Sequence, residues 1–339
     1  MTTNARQFEL QALTDIWTGD VNGNAERLVP TGLLGSIRWW FEVLVRGLGG
    51  SPCDPSSKQK TCSAERHCVV CELFGCTGWA RKFRFDVRDQ QGAVITKQLE
   101  TNTKFRLHFT PLRKVEDKEW ALLELTLRLI SEFGALGGRT VFKPTDESHR
   151  APETHHKDYG HKDYGLVQLL PTGSGNRTDR QILANYVSSW AETRTVNGAD
   201  WASCKHMWFV SGEYLARQDA KTSTFNRILG RSESKECRDC RAVHLPRQPC
   251  PKTGKPPKRF SERLLDERYR WIAGGIGKSK KVFSFKSPAR TFGFVQQAPS
   301  EFDQVRDALR EIWGMPQTND WFVSGDTLID RLFSKEGAA

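Results

Sequence analysis

Apolar residues recur at three- and four-residue steps along the stretch PTGLLGSIRWWFEVLVRGLGG, residues 30–50. Leu33, Leu34, Ile37, Trp40, Phe41, Leu44, Val45 and Leu48 share one side of a 3.6-residue period, so the spacing predicts a helix with a buried stripe. Thr31 is placed to cap it, and the glycines at 47, 49 and 50 to end it. At about 100° per residue, Trp39 lies about 200° from Ile37. The tryptophan pair is therefore expected to split, Trp40 inward and Trp39 outward. Gly32, Gly35, Glu42 and Arg46 fall near that outer face, with Arg38 on its flank.

Around this helix the pattern alternates with period two. RQFELQALTDIWTGD puts Phe8, Leu10 and Ala12 on one side and reads as a strand ending in a turn. Residues 51–78 read as a cysteine-rich loop. WARKFRFDVRD and GAVITKQLETNTKFRLHFTP read as strands, KEWALLELTLRLISEFG as a second helix, and GALGGRT as a glycine-rich loop. A polar insertion with the tandem HKDYGHKDYG follows, and YGLVQLLP closes the half as a strand. Strand, helix, two strands, helix, strand is the βαββαβ order of a ferredoxin-like domain, and the fold class expected is α+β. From residue 172 onward TDRQILANYVSSWAETR, SERLLDERYRWIAGG and SEFDQVRDALREIWGM read as helices, and KHMWFVSGEYLARQD and GKSKKVFSFKSPARTFGFVQQ as strands with turns. The pentamer WFVSG occurs twice, at 208–212 and 321–325. Two domains are expected, 1–171 with an insertion at 51–78 and 172–339 with an insertion at 235–259.

Composition sharpens the picture. Lysine and arginine outnumber aspartate and glutamate 51 to 40, a net charge of +11, which favours a polyanionic partner. Eleven tryptophans add rings on which bases stack. No segment approaches the ~18 uninterrupted apolar residues of a membrane helix, and MTTNARQFELQ has no secretion-signal pattern. A reducing cytoplasm is expected, where clustered cysteines signal metal rather than disulfides.

Two cysteine groups have ligand spacing. In the first, Cys68 and Cys71 form a C-x2-C knuckle, with Cys53 and Cys62 favoured as the other ligands and Cys76 as the alternate. In the second, Cys237, Cys240, His244 and Cys250 make a three-thiol, one-imidazole set. Both suit structural Zn2+. Cys204 is expected to be a core thiol.

Candidate anion sites are the glycine loop at 134–139 with Arg139 and Lys143, and the basic cluster Lys278, Lys280 and Lys281, with Arg290 in the strand after it. AGGIGKSKK fails the nucleotide P-loop pattern, because Ile272 stands where a glycine is required. No G-x-S-x-G elbow or H-E-x-x-H motif is present. His149, His155, His156 and His161 gather in one insertion; a polar loop is the plainer account, and acid–base cleavage of RNA the sharper one.

The segments PTGLLGSIRWWFEVLVRGLGG, CDP, CELFGCTGWARKF and FGALGGRT resemble the RAMP superfamily of CRISPR proteins, most of all the end subunits of type III-B (Cmr) effectors. The resemblance implies two ferredoxin-like, RRM-like domains with glycine-rich loops. It also implies a non-catalytic role in antiviral defence beside other RAMP subunits, in contact with the 3′ part of a guide RNA and with target RNA. On this chain it implies that Arg38, Trp39, Arg81, Lys82 and Arg139 line the RNA path, with Gly134, Gly137 and Gly138 admitting the backbone. Arg46 belongs to the same candidate surface. Two alternatives stand beside it: a RAMP endoribonuclease using His156, and a zinc-stabilised scaffold whose Trp39 contacts protein.

Overall fold

The computed structural model describes residues 5–20, 22, 26–54, 62–141, 162–171, 178–190, 199–216, 224, 228, 239–240, 249–255, 271–274 and 280–334. The first half runs β1 (Arg6–Ala12), α1 (Pro30–Gly47), α2 (Val69–Phe74), β2 (Phe83–Arg88), β3 (Lys104–Pro111), α3 (Asp117–Phe133) and β4 (Val167–Leu169). The second half holds α4 (Arg180–Ser188), a 3-10 turn (Cys204–His206), β5 (Met207–Ser211), β6 (Val282–Lys286), β7 (Ala289–Phe294), α5 (Phe302–Trp313), β8 (Val323–Ser324) and α6 (Gly325–Phe333).

Each half builds a four-stranded antiparallel sheet, ordered β2-β3-β1-β4 and β6-β7-β5-β8, so the strand order is the same when counted within each half. In the first sheet Phe8 lies opposite Leu107 and Leu10 opposite Leu169. In the second, Phe209 lies between Phe292 and Val323. The two WFVSG copies meet here: β5 and β8 are hydrogen-bonded neighbours, and the Trp208 and Phe322 rings stack at 6.0 Å.

Sheet 1 buries Phe8, Leu10 and Ala12 of β1 against its helices and turns Gln7, Glu9 and Gln11 outward, the alternation of a half-buried sheet. Sheet 2 is covered on both sides. Met207, Phe209, Phe285, Phe292 and Phe294 belong to the core shared with the first half. Trp208, Val210 and Val282 point the other way, into a second cluster with Phe302, Val305 and Leu309 of α5. The phenylalanine face meets α1 and α3 directly: Trp39 packs edge-on to Phe294 at 5.8 Å, Trp40 lies 5.8 Å from Phe292, and Phe133 lies edge-on to Phe209 at 5.1 Å. Helices α1 and α3 thus sit between two sheets.

That sandwich changes several expectations. Trp39 is half-buried against the second sheet, not turned to solvent. Glu42, also expected outward, is buried. The helix starts at Pro30, a residue suited to the first helical position, with Val29 as its cap and no side-chain bond from Thr31. Residues 51–78 are not all loop: VVCELF forms α2, a run too short to show helical period, buried at Val69, Val70, Cys71, Leu73 and Phe74. Helix α6 was not legible in the pattern either, whereas the second WFVSG copy pointed to a strand and turn where β8 lies. Most of the helix expected at SERLLDERYRWIAGG lies outside the described residues.

A buried charge network fastens the cysteine-bearing segment to the sheet. Lys82 Nζ lies 2.8 Å from Glu119 Oε1 and also pairs with Glu72, and Glu72 Oε2 lies 2.6 Å from His67 Nε2. Glu119 in turn accepts from the Glu116 backbone N–H, completing the capping box of α3. Lys82→Met should therefore cost about 3–5 kcal/mol, because it strands the buried Glu119 carboxylate; a denaturant midpoint unchanged from the wild-type chain would contradict this.

Candidate metal centre and nucleic-acid surface

Three chain segments bring four cysteines together. Cys53 follows the end of α1, Cys62 opens the turn before α2, Cys68 caps α2 and Cys71 sits inside it. Their sulfur atoms all lie within 4.8 Å of one another, and Cys53 Sγ is 3.4 Å from Cys71 Sγ. Four thiolates around a tetrahedral metal at about 2.3 Å stand ~3.8 Å apart, so the set fits a metal ion. Cys53, Cys68 and Cys71 are buried and Cys62 is half-buried, which closes the site to solvent. Cys76 stands apart, its sulfur 3.7 Å from the Ser63 carbonyl oxygen and 3.8 Å from that of Thr77.

The sulfurs are electrostatically poised. Hydrogen bonds from Cys53, Cys62 and Cys71 hold the Cys68 thiol far below its usual range. Those same bonds to Cys68 push Cys53 and Cys62 up. Cys68 is thus the shared acceptor of the cluster, and a divalent cation would replace the protons the four sulfurs share. Arg38 donates to this cluster through Nη2, 3.3 Å from Cys71 Sγ.

Of the second cysteine group, half-buried Cys240 and buried Cys250 are described, whereas Cys237 and His244 lie outside the described residues. Cys204 is a core thiol, its pKa raised by burial.

The basic residues expected on an RNA path divide sharply. Arg38 donates to Glu42 at 3.1 Å and to the Gly75 carbonyl at 2.8 Å besides reaching Cys71. Arg46 donates to the Ala202 carbonyl at 3.2 Å. Burial lowers the Arg46 pKa and pushes Glu42 up to about 7 against the pull of Arg38 and Arg46. Lys82 is locked in its carboxylate pair. Lys281 is buried with Nζ 4.5 Å from the Trp201 ring and 5.1 Å from Trp271. Arg290 is buried and donates to the Ser131 carbonyl at 2.9 Å, its pKa lowered to about 10 by desolvation. These side chains, with Trp39, face protein rather than solvent: the second sheet packs on Trp39, the segment before β5 on Arg46, and the cysteine segment on Arg38 and Lys82. Arg81 and Lys280 are half-buried; Lys143, Lys278 and the four clustered histidines lie outside the described residues.

The glycine loop after α3 also has a packing role. A Cβ at Gly134 would come within 2.6 Å of the Trp40 ring, and one at Gly138 within 2.5 Å of the Trp17 ring. Gly137 takes φ +90° and donates to Ser36 Oγ at 2.9 Å, while the Gly138 N–H donates to the Trp17 carbonyl at 2.7 Å. Neither N–H is therefore left to cup a phosphate.

What remains open is the N-terminal end of α1. Thr31, Gly32 and Gly35 are exposed, and a Cβ at Gly35 would meet nothing within 4 Å. Alongside lie Trp17 and Arg139, whose guanidinium carbon sits 4.5 Å over the indole. Thr18 Oγ1 accepts from the Val29 N–H at 2.9 Å and lies 3.4 Å from the Arg27 carbonyl; Arg27 is bridged to Lys97, and both basic residues are exposed. Sequence reasoning missed Trp17, Arg27 and Lys97. The available signal was an aromatic residue two positions before the turn glycine in IWTGD.

A comparison with protein families matches residues 9–142 to the RAMP superfamily. The matched RAMP segment contains all four converging cysteines, α1 and the glycine loop. A comparison with curated proteins gave no match. Among solved structures, the crystal structure of Cmr1 from Pyrococcus furiosus (apo form) is similar at 16% identity and a TM-score of 0.32. That similarity covers 51% of either chain, so this chain spans about half the length of the protein it matches. Among the described residues no helix is long and apolar enough to cross a membrane.

Metal bound at the four-cysteine site should be lost in Cys68→Ser and retained in Cys76→Ser when metal content is measured by mass. Affinity should fall as pH falls, because each ligand must shed a proton. Equal metal content in the two variants would remove the assignment.

Proposed function

We propose that the chain is a non-catalytic, RNA-binding subunit of a type III CRISPR effector, acting in the cytoplasm with other RAMP subunits on guide and target RNA. The observation that carries this reading is an open surface inside the RAMP-matching segment. Residues 17–19, the exposed glycine face at the start of α1 and residues 137–139 converge there. Glycines without side chains let a sugar–phosphate backbone approach, the Trp17–Arg139 pair offers a ring and a guanidinium, and Arg27 and Lys97 add charge beside them. The RNA path then runs past the N-terminal end of α1 rather than along the side holding Arg38, Trp39 and Arg46. The net charge of +11 supports a phosphate partner.

Each half is read as a ferredoxin-like domain, divided near residue 172, and the motif resemblance favours the type III-B class. The Cys53, Cys62, Cys68 and Cys71 site is read as structural zinc. Four thiolates leave no open coordination position, so the ion would brace the segment and perform no chemistry. If the Cys240 and Cys250 region holds a second ion, total content would be two per chain.

Filter binding to single-stranded RNA tests the reading. Affinity should fall steeply with salt and show little sequence preference, and Arg139→Gln should reduce the log–log salt slope by about one phosphate contact. Salt-insensitive binding, or none, would overturn it. Discrete cleavage of CRISPR repeat RNA without metal, lost in His156→Ala, would favour the endoribonuclease instead.

A further inference from the structure

Three charged residues on α1 have no part in the proposed RNA surface. Arg38, Glu42 and Arg46 follow at four-residue steps, so they stack along one edge of the helix. Each is engaged at both ends. Arg38 reaches Cys71 Sγ at 3.3 Å and the Gly75 carbonyl at 2.8 Å, both in the cysteine segment. Glu42 joins the arginines, its Oε1 3.1 Å from Arg38 Nε and its Oε2 3.8 Å from Arg46 Nη2. Arg46 then leaves the first half and donates to the Ala202 carbonyl, just before the turn that leads into β5. Backbone packing lies beside this last contact: a Cβ on Gly47 would come within 2.8 Å of Cys204 Cβ.

We propose that the Arg38–Glu42–Arg46 ladder links the four-cysteine site to the seat of the second half, so that metal occupancy sets how firmly residues 199–206 dock on α1. The proposal rests on the metal reading above. Four thiolates on a divalent ion carry a net charge of −2, which anchors the Arg38 guanidinium. With Arg38 held, Glu42 is shared between two arginines and Arg46 keeps its reach to Ala202. When the metal leaves, Arg38 loses that anchor and competes with Arg46 for the buried carboxylate, drawing Arg46 off the Ala202 carbonyl. A buried ion chain of this kind has two arrangements rather than a continuum, because each member must stay paired.

Hydrogen–deuterium exchange on the full chain, metal-loaded and chelated, tests this, with metal content measured by mass on the same samples. In the wild-type chain chelation should speed amide exchange at residues 199–206 by about tenfold, beyond the expected loosening at 62–76. Glu42→Gln should keep its metal but show fast exchange at 199–206 whether loaded or not. Arg46→Lys, which keeps the charge and gives up the carbonyl contact, should behave the same way if Glu42→Gln does not fold. Chelation that loosens 62–76 and leaves 199–206 unchanged overturns the link while the metal reading stands. So does a full response retained in either variant. A chain that neither purifies with metal nor takes up added zinc overturns both.

Discussion

Helix α1 is enclosed on almost every side, and that enclosure is the constraint on which the rest of the structure depends. Its stripe from Leu33 to Leu44 packs toward the first sheet and α3, and its tryptophan pair meets the phenylalanine face of the second sheet. A helix in such a position has one edge left for polar groups, and a charge placed there leaves water. Ionised side chains taken from water need partners. Arg38, Glu42 and Arg46 find them in one another, in a cysteine sulfur and in two backbone carbonyls. The cysteine segment and the segment before β5 therefore have to lie against that edge.

The same enclosure decides where a ligand has access. Along the side of α1 the guanidiniums of Arg38 and Arg46 are spent on protein acceptors. At the N-terminal end the helix emerges, and small residues lie exposed beside the Trp17–Arg139 pair. Glycine serves two purposes within a few ångströms. Gly134 and Gly138 accept indole rings against their backbones, while Gly32 and Gly35 keep the surface low. The first use builds the core and the second leaves room for a chain to approach.

The four-cysteine site is tied into both. Its four sulfurs come from three segments, so no single stretch could assemble it. The Lys82 network pins α2, which carries Cys71, to the start of β2 and to the cap of α3. Arg38 adds a cation that faces the sulfurs directly. The four sulfurs, the helix edge and the second half thus form a continuous run of contacts.

The sequence by itself determined the local elements with strong periodicity. α1, α3, α4 and α5 were legible from apolar spacing, β1 to β3 from alternation, and the C-x2-C knuckle with Cys53 and Cys62 from ligand spacing, because these depend on neighbours a few residues away. Only the tertiary structure decided which side of α1 meets water. Trp39, Arg38 and Arg46 have the composition of a nucleic-acid face, and a helical wheel places Trp39 and Arg46 opposite the stripe with Arg38 on its flank; a wheel records one buried side and has no term for a second sheet, or for distant segments, packing on the other. Lys82, Lys281 and Arg290 were misplaced for the same reason: burial of a charge depends on partners distant in the chain, Glu119, Trp201 and Ser131, which no local pattern carries.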